Sequence, residues 1–338
     1  MPDPPESHSE MNDSNIFGGK TVLVTGGTGT FGSAFCKRLQ SGHDIPNKII
    51  VFSRGWIPQQ ALRDELGDPS NMRWFIGDVR DVARLKRAFH DVDYVVHAAA
   101  MKDIVSAQYN PREALLTNTC GTMNVIEAAL ECGVEKVVFI SSDKAVGAAN
   151  VYGKSKALAE DLIIQGNAYA GGLATRFASV RYGNVIGSAG SVLHVFRAQK
   201  PTGKITITDK RMTRFWLSID QAIDTVFKAL ETMRGGEIFV PAIPSMQVAK
   251  LAFAFAPECQ QIEIGIRPGE KLHEVLISED EARHTLISGA FYKIMPENPQ
   301  WSGTEPLIGI HPIDGWSYRS DTNTDFLSTE EIKRAIVP

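Results

Sequence analysis

Five side chains that can give or accept protons stand close together in the middle of the sequence: Ser142, Asp143, Lys144, Tyr152 and Lys156. Tyr152 and Lys156 are four residues apart, so on a helix they share one face. A lysine ammonium beside a phenol favours the phenolate and lowers the pKa of the phenol. A tyrosine–lysine pair alone is more often a solvated surface contact, so the surrounding elements decide its meaning. In this context we interpret the five residues as an active site for proton transfer.

An apolar strand and a helix are expected to position these residues. The run 137–140 is β-branched and aromatic, as in a buried parallel strand, and ligands of open α/β sheets bind beyond the carboxyl ends of such strands. Good helix formers follow Tyr152. Neighbouring residues of an extended chain point to opposite sides, so the chain must turn at Asp143 and Lys144 for both to reach a substrate.

A glycine-rich turn near the start of the chain predicts a dinucleotide site. An apolar strand over 21–24 runs into Gly26, Gly29 and Gly32, and a helix follows. This spacing allows a tight turn, close approach of a pyrophosphate to the backbone, and close packing of the helix. Thr30 and Phe31 open the helix, whose N-terminus attracts phosphate, so we expect both residues at the cofactor.

The end of the second strand bears on the choice of cofactor. The strand over 48–52 ends in Ser53 and Arg54, where NAD enzymes usually carry an acid for the ribose 2′-hydroxyl. A guanidinium can hold a 2′-phosphate with two hydrogen bonds. We therefore predict NADP rather than NAD. The alternative is that Arg54 is only a surface residue and does not contact the cofactor.

Two further strand ends are expected to contact the cofactor. A strand over 72–76 precedes Asp78 and Val79, which are placed to meet the adenine. A strand over 94–97 precedes Ala98, whose small side chain leaves room for a cofactor. His97 lies within that strand and is interpreted as a core histidine without a chemical role.

Strands and helices alternate through the first half of the chain, which predicts an α/β fold with a Rossmann-type doubly wound parallel sheet. A smaller mixed C-terminal lobe is expected to bind the substrate. We predict a disordered segment over 1–16, an NADP-binding domain over 17–186, and a substrate lobe over 187–338 from which about 217–240 return to the first domain. Within the second half we expect one strand over 178–187, a charged turn opening a helix at 267–274, and a capping box at 328–331.

Composition limits the classes of partner. The 338 residues are 43% hydrophobic with a net charge of -4, so the chain can bury a large core and has no general attraction to nucleic acid or anionic membranes. No run is long and apolar enough to span a membrane, and the start lacks a secretory signal. The four cysteines form no C-x-x-C pair, and we predict reduced thiols, a cytoplasmic location and no metal site.

Taken together, these residues resemble the extended short-chain dehydrogenase/reductase family through the glycine spacing and the Tyr152–Lys156 pair. More narrowly, the chain is similar to the soluble, inverting UDP-N-acetylglucosamine 4,6-dehydratases. The narrower resemblance rests on motifs that follow one another along nearly the whole chain from residue 20, at 53–54, 97–100, 109–111, 143–146, 181–185, 212–216, 236–241 and 267–271.

The resemblance implies a redox-neutral dehydration of a UDP-sugar with NADP as cofactor. Tyr152, assisted by Ser142 and Lys156, would take the proton of the sugar C4 hydroxyl while a hydride leaves C4. Lys144 as a neutral base and Asp143 as a protonated acid would then eliminate water across C5 and C6, and the hydride would return to C6. Retaining 4,6-dehydratases carry Thr-Asp-Glu at the corresponding strand end, so a lysine base here implies inversion at C5.

The resemblance also assigns binding residues outside the catalytic set. Lys102, Asn184, Arg267 and Glu270 would hold cofactor or nucleotide-sugar groups, with Arg267 opposite a diphosphate. Val185 would contact the cofactor. A homo-oligomer, from dimer to hexamer, is implied as well.

Two other functions remain open on the sequence alone. A nucleotide-sugar 4-epimerase needs the tyrosine–lysine pair and the cofactor but no chemistry from Asp143 and Lys144. An NADP-binding protein without catalysis is disfavoured because every proton-handling residue is present.

Overall fold

A computed structural model describes residues 15–188, 190–298, 309 and 313–336. Of the segment predicted to be disordered, residues 1–14 lie outside the described residues, whereas Ile16 packs against the core. Among the described residues, no helix is long and apolar enough to cross a membrane.

The described residues form strands and helices in the following order. The strands are β1 Thr21–Thr25, β2 Lys48–Ser53, β3 Met72–Ile76, β4 Tyr94–His97, β5 Lys136–Ile140, β6 Arg176–Val180, β7 Asn184–Val185, β8 Lys204–Ile207, β9 Thr213–Leu217, β10 Ile238–Pro241, β11 Ser245–Gln247, β12 Gln260–Glu263, β13 Val275–Ile277, β14 Thr285–Ser288, β15 Phe291–Ile294 and β16 Tyr318–Arg319. The helices are α1 Thr30–Ser41, α2 Trp56–Leu66, α3 Val82–Phe89, α4 Ile104–Tyr109, α5 Pro111–Leu115, α6 Gly121–Cys132, α7 Val151–Ala170, α8 Val192–Gln199, α9 Ile219–Thr232, α10 Val248–Phe255, α11 Glu279–Ala282 and α12 Thr329–Ile336. A π-helical turn, Leu116–Cys120, joins α5 to α6, and a 3₁₀ turn, Lys200–Thr202, follows α8.

The largest sheet has nine strands in the order β14-β15-β10-β6-β5-β4-β1-β2-β3. Strands β1 to β6 and β10 run parallel, and β15 and β14 continue the sheet in antiparallel fashion. The order 3-2-1-4-5-6 is that of a doubly wound fold, whose crossover helices cover both faces of the sheet. The predicted Rossmann-type α/β fold is therefore confirmed.

Alternate residues of the central strands point to opposite faces of the sheet and pack in two separate hydrophobic cores. Val22 and Val24 of β1 face a cluster that includes residues of α1 and α9, while Leu23 between them faces a cluster with α3, α6 and α7. Both faces of the sheet are thus buried, as the continuous apolar runs of the parallel strands predicted. The carboxyl ends of β1, β2, β4 and β5 consequently open at one edge of the sheet.

A smaller set of elements forms a third core beyond this edge. Phe196 of α8, Ile205 of β8, Leu251 of α10 and Ile332 of α12 pack together there. Short sheets of order β11-β9-β7 and β12-β8 contribute residues to this core, whereas the pair β13-β16 packs on the first core through Leu276, Ile277 and Tyr318. The smaller mixed lobe predicted from sequence is present.

Helix starts follow the capping rules in several places. The Asn150 side chain accepts a hydrogen bond from the Gly153 amide and begins α7, the helix that carries Tyr152. The capping box predicted at 328–331 is confirmed, because Glu331 and Ser328 exchange backbone-to-side-chain hydrogen bonds at the start of α12.

Two predictions for the second half of the chain are wrong. The expected strand over 178–187 is two strands in different sheets, since the chain leaves β6 after Val180 and Gly183 packs so closely on Phe215 that a Cβ would lie 2.6 Å from the Phe215 Cβ. The charged stretch 267–274 opens no helix. It forms turns and leads into β13, because its backbone carbonyls accept hydrogen bonds from Asn150 and Arg214 instead of continuing a helical ladder.

Candidate active site

A cavity of about 1100 Å³ lies between the carboxyl edge of the large sheet and the smaller lobe. It is lined by every residue that the sequence placed in the site except Asp143: Gly26, Gly29, Thr30, Phe31, Gly32, Ser53, Arg54, Asp78, Val79, Ala98, Lys102, Ser142, Lys144, Tyr152, Lys156, Asn184, Val185, Arg267 and Glu270. Its size and its position at strand ends are those of a small-molecule site.

The glycine turn makes a backbone cradle at one end of this cavity. Gly26 has φ of 66°, and a Cβ there would lie 2.8 Å from the Ala99 Cα. A Cβ on Gly32 would collide with the Gly26 carbonyl oxygen, so the close approach of helix and turn requires both glycines. Gly29 precedes α1 and provides no side-chain cap, and the N-terminus of a helix attracts an anion. These features fit the pyrophosphate of a dinucleotide.

The ends of β2 and β3 carry opposite charges beside the cavity. Arg54 is exposed, whereas the Ser53 hydroxyl accepts a hydrogen bond of 3.0 Å from Gln59 Nε2. Asp78 accepts hydrogen bonds from Arg80, with 2.6 Å between Arg80 Nη2 and Asp78 Oδ2. Burial acts to raise the pKa of Asp78, but the contacts with Arg80 and the charge of Arg54 outweigh it and hold this pKa below its ordinary value. A carboxylate and a guanidinium therefore flank the predicted adenosine end.

Both ring nitrogens of His97 have hydrogen-bond partners in the core. It is completely buried, with its Nδ1 2.7 Å from Thr25 Oγ1 and its Nε2 3.1 Å from Thr122 Oγ1. Burial and the charge of Lys156 lower the pKa of His97 to about 3. The prediction that His97 is a core residue is confirmed.

The chain turns after β5, as the sequence required. The Ala145 amide donates to the Ser142 carbonyl over 3.0 Å, and residues 143–147 form the turn, which we call the catalytic turn. Ser142 Oγ donates to Asp143 Oδ1 over 2.8 Å, and Lys144 Nζ donates to the same oxygen over 2.9 Å. The serine, the carboxylate and the amine thus form one hydrogen-bonded group.

Asp143 occupies a different position from the one expected. Its side chain is fully buried, so it lies behind Ser142 and Lys144 and does not line the cavity. Asp143 Oδ2 has no hydrogen-bond partner among the described residues. A proton carried by Asp143 Oδ1 can pass toward the cavity through Ser142 or Lys144, which both contact this oxygen.

The surroundings of Lys144 favour its ammonium form, whereas the base role expected for this residue requires a neutral amine. Its side chain is 20% exposed and faces Glu274 Oε1 at 3.7 Å as well as Asp143. Burial acts to lower the pKa of Lys144, but the carboxylates of Asp143 and Glu274 raise it above its ordinary value. The charged pair and the neutral pair differ by a proton moved along the hydrogen bond between Lys144 and Asp143.

Tyr152 and Lys156 lie on one face of α7, but the expected effect of the lysine on the phenol is wrong. Burial raises the pKa of Tyr152, and the groups that act to lower it are Lys144 and Ser142. Lys156 is buried, donates a hydrogen bond to the Ile140 carbonyl and sits 3.7 Å from the centre of the Phe139 ring. Burial lowers the pKa of Lys156 to about 7. In this structure the cation that favours the phenolate is therefore Lys144.

The four predicted substrate residues approach the cavity from different elements. Lys102 follows β4, and Asn184 belongs to β7 with its Oδ1 buried and without a hydrogen-bond partner among the described residues. Arg267 is 62% exposed and forms an ion pair with Glu270 three residues on. The hydrogen bond with Glu270 raises the pKa of Arg267, which stays a cation available to a diphosphate.

Sequence reasoning assigned no role to three charged residues around Lys144. Glu274 is buried, Arg214 Nε lies 3.7 Å from Glu274 Oε1, and Lys271 Nζ lies 3.5 Å from Glu274 Oε2. Arg214 and Lys271 stand within the motifs at 212–216 and 267–271, and Glu274 follows shortly after. The clustering of charges in those motifs was the available signal, but their contact with the catalytic turn depends on the fold.

Comparisons with known proteins agree with this geometry. The family described as "Polysaccharide biosynthesis protein" matches residues 22–296. A UDP-N-acetylglucosamine 4,6-dehydratase (inverting) of Campylobacter jejuni is 43% identical over 327 residues, covering 94% of this chain and 97% of that protein. A UDP-glucose 4-epimerase of Rickettsia canadensis is 37% identical, covering 95% of this chain and 96% of that protein.

A solved structure also resembles the chain over nearly its whole length. The X-ray structure of Pen from Bacillus thuringiensis superimposes with a TM-score of 0.87 at 38% identity, covering 95% of this chain and 98% of that one. From the family match and these relatives, we conclude that the chain belongs to the polysaccharide biosynthesis protein family.

Proposed function

We propose that this protein is a nucleotide-sugar 4,6-dehydratase that converts UDP-N-acetylglucosamine to the C5-inverted 4-keto-6-deoxy sugar. The observation that carries the proposal is the hydrogen-bonded pair of Asp143 and Lys144 beside a buried Tyr152 at the end of β5. The Campylobacter jejuni relative that carries this activity in its name supports it. Elimination of water requires a base for the C5 proton and an acid for the leaving oxygen.

The first step is oxidation at C4. Tyr152 takes the proton of the C4 hydroxyl, aided by the positive charge of Lys144 and the hydroxyl of Ser142. A bound nicotinamide dinucleotide supplies the acceptor for the C4 hydride and the donor of the hydride that later reaches C6. The resulting ketone makes the neighbouring C5 proton acidic.

The second step is elimination of water across C5 and C6. Lys144, after giving its extra proton to Asp143, takes the C5 proton with its free electron pair. The electrons of the C5–H bond form the C5–C6 double bond, and the C6–O bond breaks with a proton supplied to the leaving oxygen. Because Asp143 is buried behind Ser142, that proton passes from Asp143 through the Ser142 hydroxyl, which lines the cavity.

Desolvation by the substrate makes the proton shift from Lys144 to Asp143 favourable. An ion pair loses stability relative to its neutral form when water is excluded around it. A sugar ring that closes the cavity over Lys144 would act in this direction. Return of hydride to C6 and of a proton to the opposite face of C5 then completes the inverted product.

The cofactor is proposed to be NADP. Gly26, Gly29 and Gly32 make room for the pyrophosphate, and Arg54 stands at the end of β2 where a 2′-phosphate would lie. Arg54 carries a permanent positive charge and is exposed, so it can turn toward a phosphate. We further propose that Lys102, Asn184, Arg267 and Glu270 hold the nucleotide sugar, in a homo-oligomer located in the cytoplasm.

A second candidate is a UDP-sugar 4-epimerase, since a relative of that name is 37% identical. Epimerisation needs Tyr152 and the cofactor, but it gives no role to the Asp143–Lys144 pair. The extensive contacts of that pair favour dehydration.

Product analysis tests the proposal directly. The purified protein is incubated with UDP-N-acetylglucosamine and NADP⁺, and the nucleotide sugar is examined by mass spectrometry and NMR. We expect a product lighter by one water. The 4-epimer with unchanged mass would support the epimerase, and unchanged substrate would contradict both enzymes.

A further inference from the structure

Glu274 is a buried carboxylate that the steps above do not use. Its residue is 3% exposed, and it lies immediately before β13. Its backbone is fixed on both sides, because its amide donates to Ser320 Oγ over 2.9 Å and its carbonyl accepts from the Ser320 amide over 2.9 Å. The backbone that carries the carboxylate is therefore fixed by its pairing with Ser320, which follows β16.

Three cations surround this carboxylate. Lys144 Nζ and Arg214 Nε each lie 3.7 Å from Glu274 Oε1, and Lys271 Nζ lies 3.5 Å from Oε2. Glu274 Oε2 has no hydrogen-bond donor among the described residues, so this oxygen interacts with the neighbouring cations through electrostatic attraction. A buried carboxylate without an opposite charge would be strongly disfavoured.

The same cations connect Glu274 to the catalytic turn. Lys271 Nζ donates to the Val146 carbonyl and, over 3.4 Å, to the Asp143 carbonyl. Arg214 donates to the carbonyls of Leu272 and Lys271. The stretch from Lys271 to Glu274 thus holds the catalytic turn from the side of the smaller lobe.

We propose that Glu274 is a positioning residue for Lys144, which keeps this side chain as an ammonium at the catalytic turn until the substrate is bound. In the resting enzyme the ammonium stands between the carboxylates of Asp143 and Glu274. It is thereby available to stabilise the Tyr152 phenolate during C4 oxidation, before it gives a proton to Asp143 and becomes the C5 base.

The charged groups that face Lys144 come from every element packed around it. Asp143 belongs to its own turn, Glu274 precedes β13, Arg214 lies on β9 and Tyr152 on α7. The two carboxylates favour the ammonium and Arg214 opposes it. Removing the charge of Glu274 must therefore lower the pKa of Lys144, and removing Arg214 must raise it.

The role in turnover rests on the proposed dehydration, but the effect on Lys144 can be measured without any substrate. Only a neutral amine reacts with acetic anhydride. We propose labelling the ligand-free protein with trace acetic anhydride over a range of pH and quantifying acetylation of Lys144 by peptide mass spectrometry. The exposed Lys250 serves as the internal reference in the same digest.

In Glu274→Gln, the rise of Lys144 labelling with pH should move to lower pH by about one unit, which is about tenfold more labelling at a fixed pH. Glu274→Asp keeps the negative charge, so its Lys144 labelling curve should lie close to that of the unmodified protein. Glu281→Gln, which removes a carboxylate that pairs with Arg181 outside the cavity, should leave the Lys144 curve unchanged.

Superimposable Lys144 curves for the unmodified protein and Glu274→Gln would overturn the proposal. If Glu274→Gln does not fold, Arg214→Met provides the opposite test, and its Lys144 curve should move to higher pH. A shift in the other direction, or none, would also overturn it. Failure of the dehydration assay with a normal labelling shift would reject the proposed function while keeping the contact between Glu274 and Lys144.

Discussion

The two ends of the cavity are built by different physical means, and their two lysines show the contrast. At the cofactor end, glycines and a helix N-terminus make a cradle of backbone, and Lys156 lies buried against Ile140 and Phe139. At the catalytic turn, Lys144 stands between the carboxylates of Asp143 and Glu274. Burial lowers the pKa of Lys156 to about 7, whereas the carboxylates raise that of Lys144.

Residue type alone therefore does not set the charge of a group in this cavity. Both lysines lie within the same short stretch and both line the cavity. Lys156 has lost water without gaining a close carboxylate partner, and Lys144 has gained two. The elimination chemistry is therefore expected to depend on Lys144 rather than on Lys156.

The largest effect is expected from Lys144→Ala. Without the base, water loss should fall by about 10² to 10⁴, which is the range for loss of a general base. C4 oxidation should be slowed, because the variant also lacks the cation that favours the Tyr152 phenolate, but it should still occur, so reduced cofactor and 4-keto hexose should accumulate in a single turnover followed by absorbance. Tyr152→Phe is the matched control, since it should lose oxidation and elimination together.

Normal dehydration by Lys144→Ala would remove the distinction between the two lysines. Loss of C4 oxidation in that variant, with folding intact, would instead place Lys144 mainly in the first step.

A smaller effect is expected at the cofactor end from Arg54→Ala. If Arg54 grips the 2′-phosphate, the variant should bind NADP roughly 10- to 100-fold more weakly, because hydrogen bonds to charged groups contribute about 1.5–3 kcal/mol. Binding of NAD should change little. Titration calorimetry with both cofactors measures this, and Arg63→Ala, on the surface of the same region, should leave both affinities unchanged. Equal losses for NADP and NAD would remove the argument for NADP.

A third effect concerns the stability of the cofactor-free protein. The pKa of Lys156 is lowered from 10.5 to about 7, so between these values the unfolded chain holds a proton that the folded chain does not. The contribution of Lys156 to the free energy of unfolding must therefore rise with pH across this window. Compared with the unmodified protein, Lys156→Met should have a higher free energy of unfolding below pH 7. This difference should become smaller as the pH rises toward 10.

Urea unfolding at several pH values measures this trend. Lys154→Met changes an exposed lysine of the same helix and should show a difference that does not depend on pH. A pH-independent difference for Lys156→Met as well would show that burial does not neutralise Lys156.

The cofactor end was predictable because its signals are local. The strand bounds 72–76 and 94–97 were predicted without error, and the glycine spacing identifies a turn in which Gly32 packs on the Gly26 carbonyl six residues earlier. Residue order also required the turn at Asp143 and Lys144. Each of these features follows from neighbouring residues and backbone geometry.

The charges of the catalytic turn were not predictable, because they depend on contacts across the chain. Glu274 stands far along the sequence from Lys144, and nothing in its local pattern marks it as a partner. The same stretch was expected to open a helix, but its carbonyls accept hydrogen bonds from Asn150 and Arg214. Lys156 was expected to lower the pKa of Tyr152, but its Nζ donates a hydrogen bond to the Ile140 carbonyl.

The configuration at C5 tests the central claim most directly. The protein is incubated with UDP-N-acetylglucosamine in deuterium oxide, and the first-formed product is examined by NMR before the ketone can epimerise in solution. With Lys144 as the C5 base and a proton returned to the opposite face, we expect the L-arabino-configured 4-keto-6-deoxy sugar with deuterium partly incorporated at C5. A first-formed product that keeps the D configuration would contradict the account.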